Sequence, residues 1–284
     1  MSFIKRPRRA WLFVASAFSL AAFFALPLHA QEEGAAPAEA EEHEAPHYPL
    51  EVPDRQSWSF AGPFGTYDPA QLQRGLQVYR EVCAGCHGLE RVAFRTLADE
   101  NGPYLSEEAM RAIAASYNII DADTGERREG RPADYFPSSN VPTAPDLSLM
   151  AKARASGEGF GWLIDWLIQY QESGVNYIYA ILTGYGHEVP EGVEVPPGTF
   201  FNPFFLGGPA LSMPPPLSDG RVSYSDGTPE TVEQYAADVT AFLMWAAEPK
   251  LVDRKRLGFQ VMVFLIVFAG LTYLAKRQVW AKEH

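Results

Sequence analysis

Cys83-Ala84-Gly85-Cys86-His87 contains both cysteines of the 284-residue chain, and the rest of the sequence is read outward from it. Two thiols three positions apart can each form a thioether to a haem vinyl group, with the adjoining imidazole held beneath the iron as an axial ligand. The spacing therefore reads as a c-type haem attachment site in which Cys83 and Cys86 are the covalent points and His87 is one iron ligand. Other chemistries use a Cys-x-x-Cys pair. Half of a zinc site would want a second Cys pair, which the chain lacks. A thioredoxin-like redox pair would want a surrounding βαβ pattern. A local disulfide would leave His87 without a role.

Upstream, Asp68 is a natural N-cap with Pro69 in the first helical position. Leu72, Gly75, Leu76 and Tyr79 recur at helical spacing and run straight into Cys83. A glycine on that face costs helix stability, which makes sense where a second helix crosses closely. The predicted partner starts at Thr228-Pro229-Glu230, carries an apolar stripe from Val232 to Ala246 and stops at Glu248-Pro249. Between the two, Ser106 to Tyr117 reads as a helix with Met110 and Ile113 on one face, and 121–145 as turn-rich loop around the haem edge. Asp146 is expected to cap a short helix through Arg154. Arg154 falls on the apolar stripe of that helix. A buried guanidinium requires an anion, which a haem propionate would supply; at a frayed helix end the same side chain would simply reach solvent. Gly161 to Tyr170 is apolar almost all round and too short to span a bilayer, so it reads as a core helix or, preferentially, as an interface. Gly184 to Pro216 is a long loop region dominated by glycine and proline.

The sixth iron position decides between electron carrier and ligand binder. Met110, Met150 and Met244 lie on predicted helices and read as packing, and Met262 lies in a hydrophobic segment near the C-terminus. Met213 sits in a loop stiffened by Pro209, Pro214, Pro215 and Pro216, which can present a thioether free of helical constraint. On the residues alone, Met213 competes with an ordinary apolar contact and with His187 as ligand. His/Met ligation would close the iron and leave outer-sphere electron transfer, whereas an open site would suit sensing or peroxide chemistry. No Ser/His/Asp set and no glycine-rich phosphate loop with a lysine points to hydrolysis or phosphate binding.

The ends address the chain to a membrane. Lys5, Arg6, Arg8 and Arg9 precede the apolar run Leu12 to Leu26 and Pro27-Leu28-His29-Ala30, so residues 1–30 read as a secretory signal peptide rather than a retained anchor. Its removal leaves 19 Lys and Arg against 35 Asp and Glu, a formal charge of −16, which argues against a nucleic-acid partner and favours steering of a basic one. Residues 31–54 read as an acidic disordered leader, with seven glutamates and no Lys or Arg between 31 and 51. It is either a tether for a basic partner or a merely solvated stretch. Leu257 to Leu274 is an uncharged run of eighteen residues, about 27 Å as a helix against a hydrocarbon core of about 30 Å. The domains are thus 55–250 for the haem-bearing body and 251–284 for a C-terminal anchor and short tail. Basic clusters on both sides of the run leave the charge rule undecided, and the signal peptide puts the body outside and the tail inside.

Taken together, Gln73-Arg74-Gly75-Leu76-Gln77-Val78-Tyr79, Ala144-Pro145-Asp146-Leu147-Ser148, Ala153-Arg154, Tyr177 to Tyr185, Phe201-Asn202-Pro203, Met213-Pro214-Pro215-Pro216 and Trp245-Ala246-Ala247-Glu248-Pro249-Lys250 resemble the cytochrome c1 family over about residues 55 to 284. The resemblance, to bacterial members, implies a mainly α class I cytochrome c-like haem domain with long loops and one C-terminal transmembrane helix. It implies one haem c on Cys83 and Cys86, axial ligands His87 and Met213, Arg154 at a propionate, and Pro145, Tyr177 and Leu211 in the pocket. It further implies an electron carrier in the inner membrane of the respiratory chain, its haem domain in the periplasm and its C-terminus cytoplasmic. The implied partners are cytochrome b, a Rieske iron–sulfur protein and a soluble or anchored cytochrome c, in a dimeric multisubunit complex in membrane lipid; the acidic surface, not the resemblance, predicts that this cytochrome c is basic. The quinol chemistry would lie on cytochrome b. Two features depart from relatives: there are no cysteines for the extra disulfide that some bacterial members carry, and the leader is unusually acidic.

Overall fold

The computed structural model describes residues 50–121, 123–155 and 172–281. The signal peptide, most of the acidic leader and the apolar segment 161–170 lie outside the described residues.

Helix α1 (Pro69–Val78) starts where the capping chemistry dictates: the Asp68 carboxylate accepts from Ala70 N at 3.0 Å and Pro69 fills the first turn. It continues without a break into a π-helical turn, Tyr79–Cys83, that delivers the first cysteine. A 3₁₀ turn (Phe94–Ala98) and α2 (Glu107–Ala115) follow. Ser106 is the N-cap of α2, accepting from Ala109 N at 3.1 Å, so the helix is shorter at both ends than the predicted 106–117. Met110 is buried, as its place on the apolar face requires.

The stretch read wholly as loop opens instead within a small hairpin. Strand β1 (Asn118–Ile120) pairs antiparallel with β2 (Arg127–Glu129), Ile119 opposite Arg128, around a turn in which Gly125 has φ +72°. The strands are three residues long and mostly polar, so they carry no alternation that a sequence reading could detect. Arg128 holds the hairpin, donating to Asp121 at 2.7 Å and to Asp134 at 2.6 and 3.0 Å.

Helix α3 is a single turn, Met150–Ala153, and Asp146 is not its cap. The Asp146 carboxylate accepts from Ser148 N and from Glu90 N, both at 2.9 Å, so it tethers the loop to the segment just after the haem motif. Helix α4 (Glu172–Thr183) packs on α3, where a Cβ on Gly174 would stand 1.9 Å from Ala151 O. In the glycine-rich region, β3 (Phe200–Phe201) pairs with β4 (Ala210–Leu211).

Helix α5 (Val232–Ala247) is the centre of the core, with Tyr235, Ala236 and every residue from Asp238 to Ala246 buried. It begins later than the predicted Thr228 because Glu230 is engaged outside the helix. The Glu230 side chain accepts from Tyr224 N at 2.9 Å, its carbonyl accepts from Gly220 N, and Thr231 caps the helix. The crossing with α1 is as close as Gly75 suggested: a Cβ there would lie 2.1 Å from Asp238 O and 2.6 Å from Phe242 Cβ, so only hydrogen fits. Arg74 fastens the same crossing by donating to the buried Asp238 at 3.0 Å. Tyr79, Phe242 and Trp245 then carry the core in ring contacts of 5.9 and 5.6 Å along α5.

Three residues separate α5 from α6 (Leu251–Trp280). At 30 residues α6 is about 45 Å long and outreaches the predicted 257–274 at both ends. It is long and apolar enough to cross a membrane, with its side chains from Leu257 onward exposed.

Candidate functional site

The π-helical turn ends at Cys83, and the next residues fold back on it: the Cys83 carbonyl accepts from Cys86 N at 3.1 Å and from His87 N at 2.9 Å. Both sulfurs and the imidazole therefore come from one tight turn. Cys83 is half-buried and Cys86 exposed. Burial first, and the neighbouring Cys86 second, push the Cys83 thiol up to about 12. Among the described residues no group of three or more His, Cys, Asp or Glu side chains is placed to hold a metal ion in the manner of a zinc site.

His87 is held at two points. Its Nδ1 lies 2.7 Å from Pro145 O, and because a carbonyl only accepts, Nδ1 carries the proton and Nε2 keeps its lone pair. Its own carbonyl accepts from the Tyr79 hydroxyl at 3.0 Å. This fits an axial haem ligand: the tautomer is fixed and the remaining nitrogen can bind iron.

The segment 137–148 is stitched near both its ends to residues 86–91, in and just after the haem motif. Leu89 N donates to Pro137 O, Gly88 N to Ser139 Oγ, Asn140 N to Cys86 O and Leu147 N to Gly88 O, at 2.9 to 3.2 Å. A Cβ on Gly88 would stand 2.5 Å from the 138–139 backbone, so this seam also needs glycine. Sequence reasoning placed the loop at the haem but missed Gly88, Ser139 and Asn140. Backbone-to-backbone stitching leaves almost no side-chain signature, and only the glycine beside His87 offered a signal.

A second group of predicted residues is assembled by α4 and the loop after it. Met213 is half-buried, and its carbonyl accepts from Tyr185 Oη at 3.0 Å. Burial raises the Tyr185 phenol above its ordinary value, which keeps it a donor at all ordinary pH. Tyr177 is buried and its hydroxyl accepts from Leu206 N at 3.4 Å. Leu211 is half-buried in β4. Asn202, fully buried, donates to Ile181 O at 2.9 Å and ties this loop to α4. The loop that lacks a disulfide is thus held by Asn202, the β3–β4 pair and Tyr185.

His187 is exposed, its ring edge-on to Phe204 at 6.0 Å. Arg154 departs from its predicted environment. It is the residue after α3, it is exposed, and its guanidinium makes no side-chain bond to a described residue. Because α3 is one turn long, position 154 does not extend a buried stripe, and the burial argument for Arg154 does not hold. Met110 and Met244 are buried in the core, as packing residues should be.

A family model described as the cytochrome C1 family matches residues 58–283. The "Cytochrome b/c1" protein of Bradyrhizobium diazoefficiens is 53% identical over 248 residues, covering 82% of this chain and 36% of that longer protein. Cytochrome c1 of Cereibacter sphaeroides is 45% identical over 248 residues, 79% of this chain and 85% of the relative. The mitochondrial cytochrome c1 haem protein of Saccharomyces cerevisiae is 40% identical over 240 residues, 79% of this chain and 71% of the relative.

Proposed function

The chain belongs to the cytochrome c1 family, and from that premise we propose that it relays electrons from a Rieske iron–sulfur protein to a basic cytochrome c within a quinol-oxidising bc1 complex. The cofactor is one haem c bound covalently through the Cys83 and Cys86 pair. When bound, it supplies one-electron iron chemistry. The observation that carries the reading is the 2.7 Å contact between His87 Nδ1 and Pro145 O in a Cys-x-x-Cys-His turn, which leaves Nε2 free to ligate.

The protein's own contribution is orientation. His87 is fixed in one tautomer by Pro145 and in position by Tyr79. Met213 is the proposed second axial residue, on a loop whose backbone Tyr185 restrains, and a thioether there favours the reduced state. Tyr177 and Leu211 would line the pocket, and Arg154, exposed beside α3, is free to meet a propionate. In this reading α6 crosses the inner membrane, the haem-bearing body faces the periplasm and the C-terminus is cytoplasmic. Cytochrome b would hold the quinol chemistry, and the complex would be a dimer in membrane lipid.

Redox titration of Met213→Leu tests the reading. The potential should fall sharply and the reduced variant should gain carbon monoxide binding that the wild type lacks. An unchanged titration would remove Met213 as ligand, and carbon monoxide binding by the wild type would favour an open-site sensor or peroxidase. Purification in mild detergent should bring cytochrome b and the Rieske protein with the chain.

A further inference from the structure

The three residues between α5 and α6 are not helical in Glu248, whose φ of −147° and ψ of 71° break the chain direction. A connection of this kind would ordinarily act as a swivel between a folded body and its anchor. Here the swivel is riveted by a carboxylate. Glu248 is buried, and its two oxygens serve different elements: Oε2 accepts from Lys152 Nζ of α3 at 2.9 Å, and Oε1 pairs with Arg254 one turn into α6. Its backbone carbonyl accepts from Tyr67 Oη at 3.1 Å, and Tyr67 also reaches Met244 O at 3.3 Å. One residue therefore joins α3, the end of α5, the start of α6 and the segment ahead of α1.

The α3 arm leads to the cofactor site. Lys152 lies seven residues beyond Pro145, whose carbonyl holds the His87 ring, and Asp146 and Leu147 fasten the intervening segment to Glu90 and Gly88. The α6 arm is braced independently, with Lys255 Nζ donating to Phe60 O at 2.6 Å and Asn101 donating to Asp253 at 2.9 Å.

We infer that Glu248 is a positioning residue that sets the angle between the haem-bearing body and the membrane helix, and so the tilt of the haem relative to the membrane. The inference rests on the functional reading above. Two cations on two elements share one buried carboxylate, and removing it leaves both partly buried and unpaired in a three-residue joint. Repulsion between them would then open the joint. The haem site itself has no side chain in the clasp, so ligation should persist while orientation is lost.

The test is electron paramagnetic resonance of the low-spin haem in oriented membrane multilayers carrying the intact complex. In Glu248→Ala the signal should lose most of its dependence on the angle between membrane normal and field, with covalent haem content and midpoint potential as in the wild type. Glu248→Gln, which keeps one acceptor oxygen, should lose less. Lys152→Met and Arg254→Met each remove one arm and should each lose part of the dependence, which keeps the question decidable if Glu248→Ala fails to accumulate. Full angular dependence in haem-loaded Glu248→Ala, or in both single-arm variants, would overturn the proposal. A wild type without covalent haem would instead count against the functional reading.

Discussion

Tyr79 shows how much of the site rests on a residue that never meets the iron. Its ring packs on Phe242 and Phe136, and its hydroxyl donates to the His87 carbonyl. Burial is the main cause that raises its phenol well above the ordinary range, so it stays a donor. Tyr79→Phe keeps the packing and removes the bond. It should cost about 1 kcal/mol in urea unfolding, with covalent haem retained. At this scale, what the sequence made legible was the chemistry carried by side chains: the Cys83 and Cys86 pair from its spacing, with His87 beside it and Met213 on its proline-stiffened loop as the proposed iron ligands. The acceptor for His87 is a backbone carbonyl 58 positions away, which no residue type advertises. Arg154 lies exposed just after the single turn of α3, the solvent-reaching arrangement that the sequence left open beside a buried one, and its place at a propionate stays a proposal.

Among the elements, long amphipathic helices were legible and short polar ones were not. Gly75 predicted the α1–α5 crossing because a missing Cβ is a local signal of close approach. The hairpin of β1 and β2 gave no such signal, as its register is pinned by charges. Asp121 is held at about 2 rather than 3.8, first by its hydrogen bond from Arg128 and then by the amides of Asp123 and Thr124. A depressed folded pKa means that this support is present above the ordinary carboxylate value and is lost as acid titrates the folded form. Hydrogen exchange across 118–129 should therefore accelerate, relative to its intrinsic rate, as pH falls from about 4 to about 2. Asp121→Asn should show weakened protection already at neutral pH and less change over that window, Asp134 still pairing with Arg128.

For the molecule as a whole, charge is the feature the sequence states most plainly. A chain with 35 acidic residues against 23 basic ones presents Glu188, Glu191 and Glu194 in exposed positions on the loop after α4. Such a surface steers a basic partner at long range, and salt screens it over a Debye length of about 10 Å at 0.1 M. If the acceptor is the proposed basic cytochrome c, electron transfer to it should slow as ionic strength rises, and neutralising the three glutamates should flatten that slope. A rate indifferent to salt would rule out electrostatic steering of the acceptor.

The clamp of α1 against α5 has a consequence in time as well. Arg74 and Asp238 are 164 positions apart, so the helix that leads into the haem motif is synthesised long before the helix it must pack on. Contacts this distant in sequence form slowly, because a large loop must close before any of them forms. Until α5 is in place, the helix that leads to Cys83 lacks the surface it packs on in the folded chain. Refolding of the whole chain should therefore be slowest in the step that seats α1 on α5.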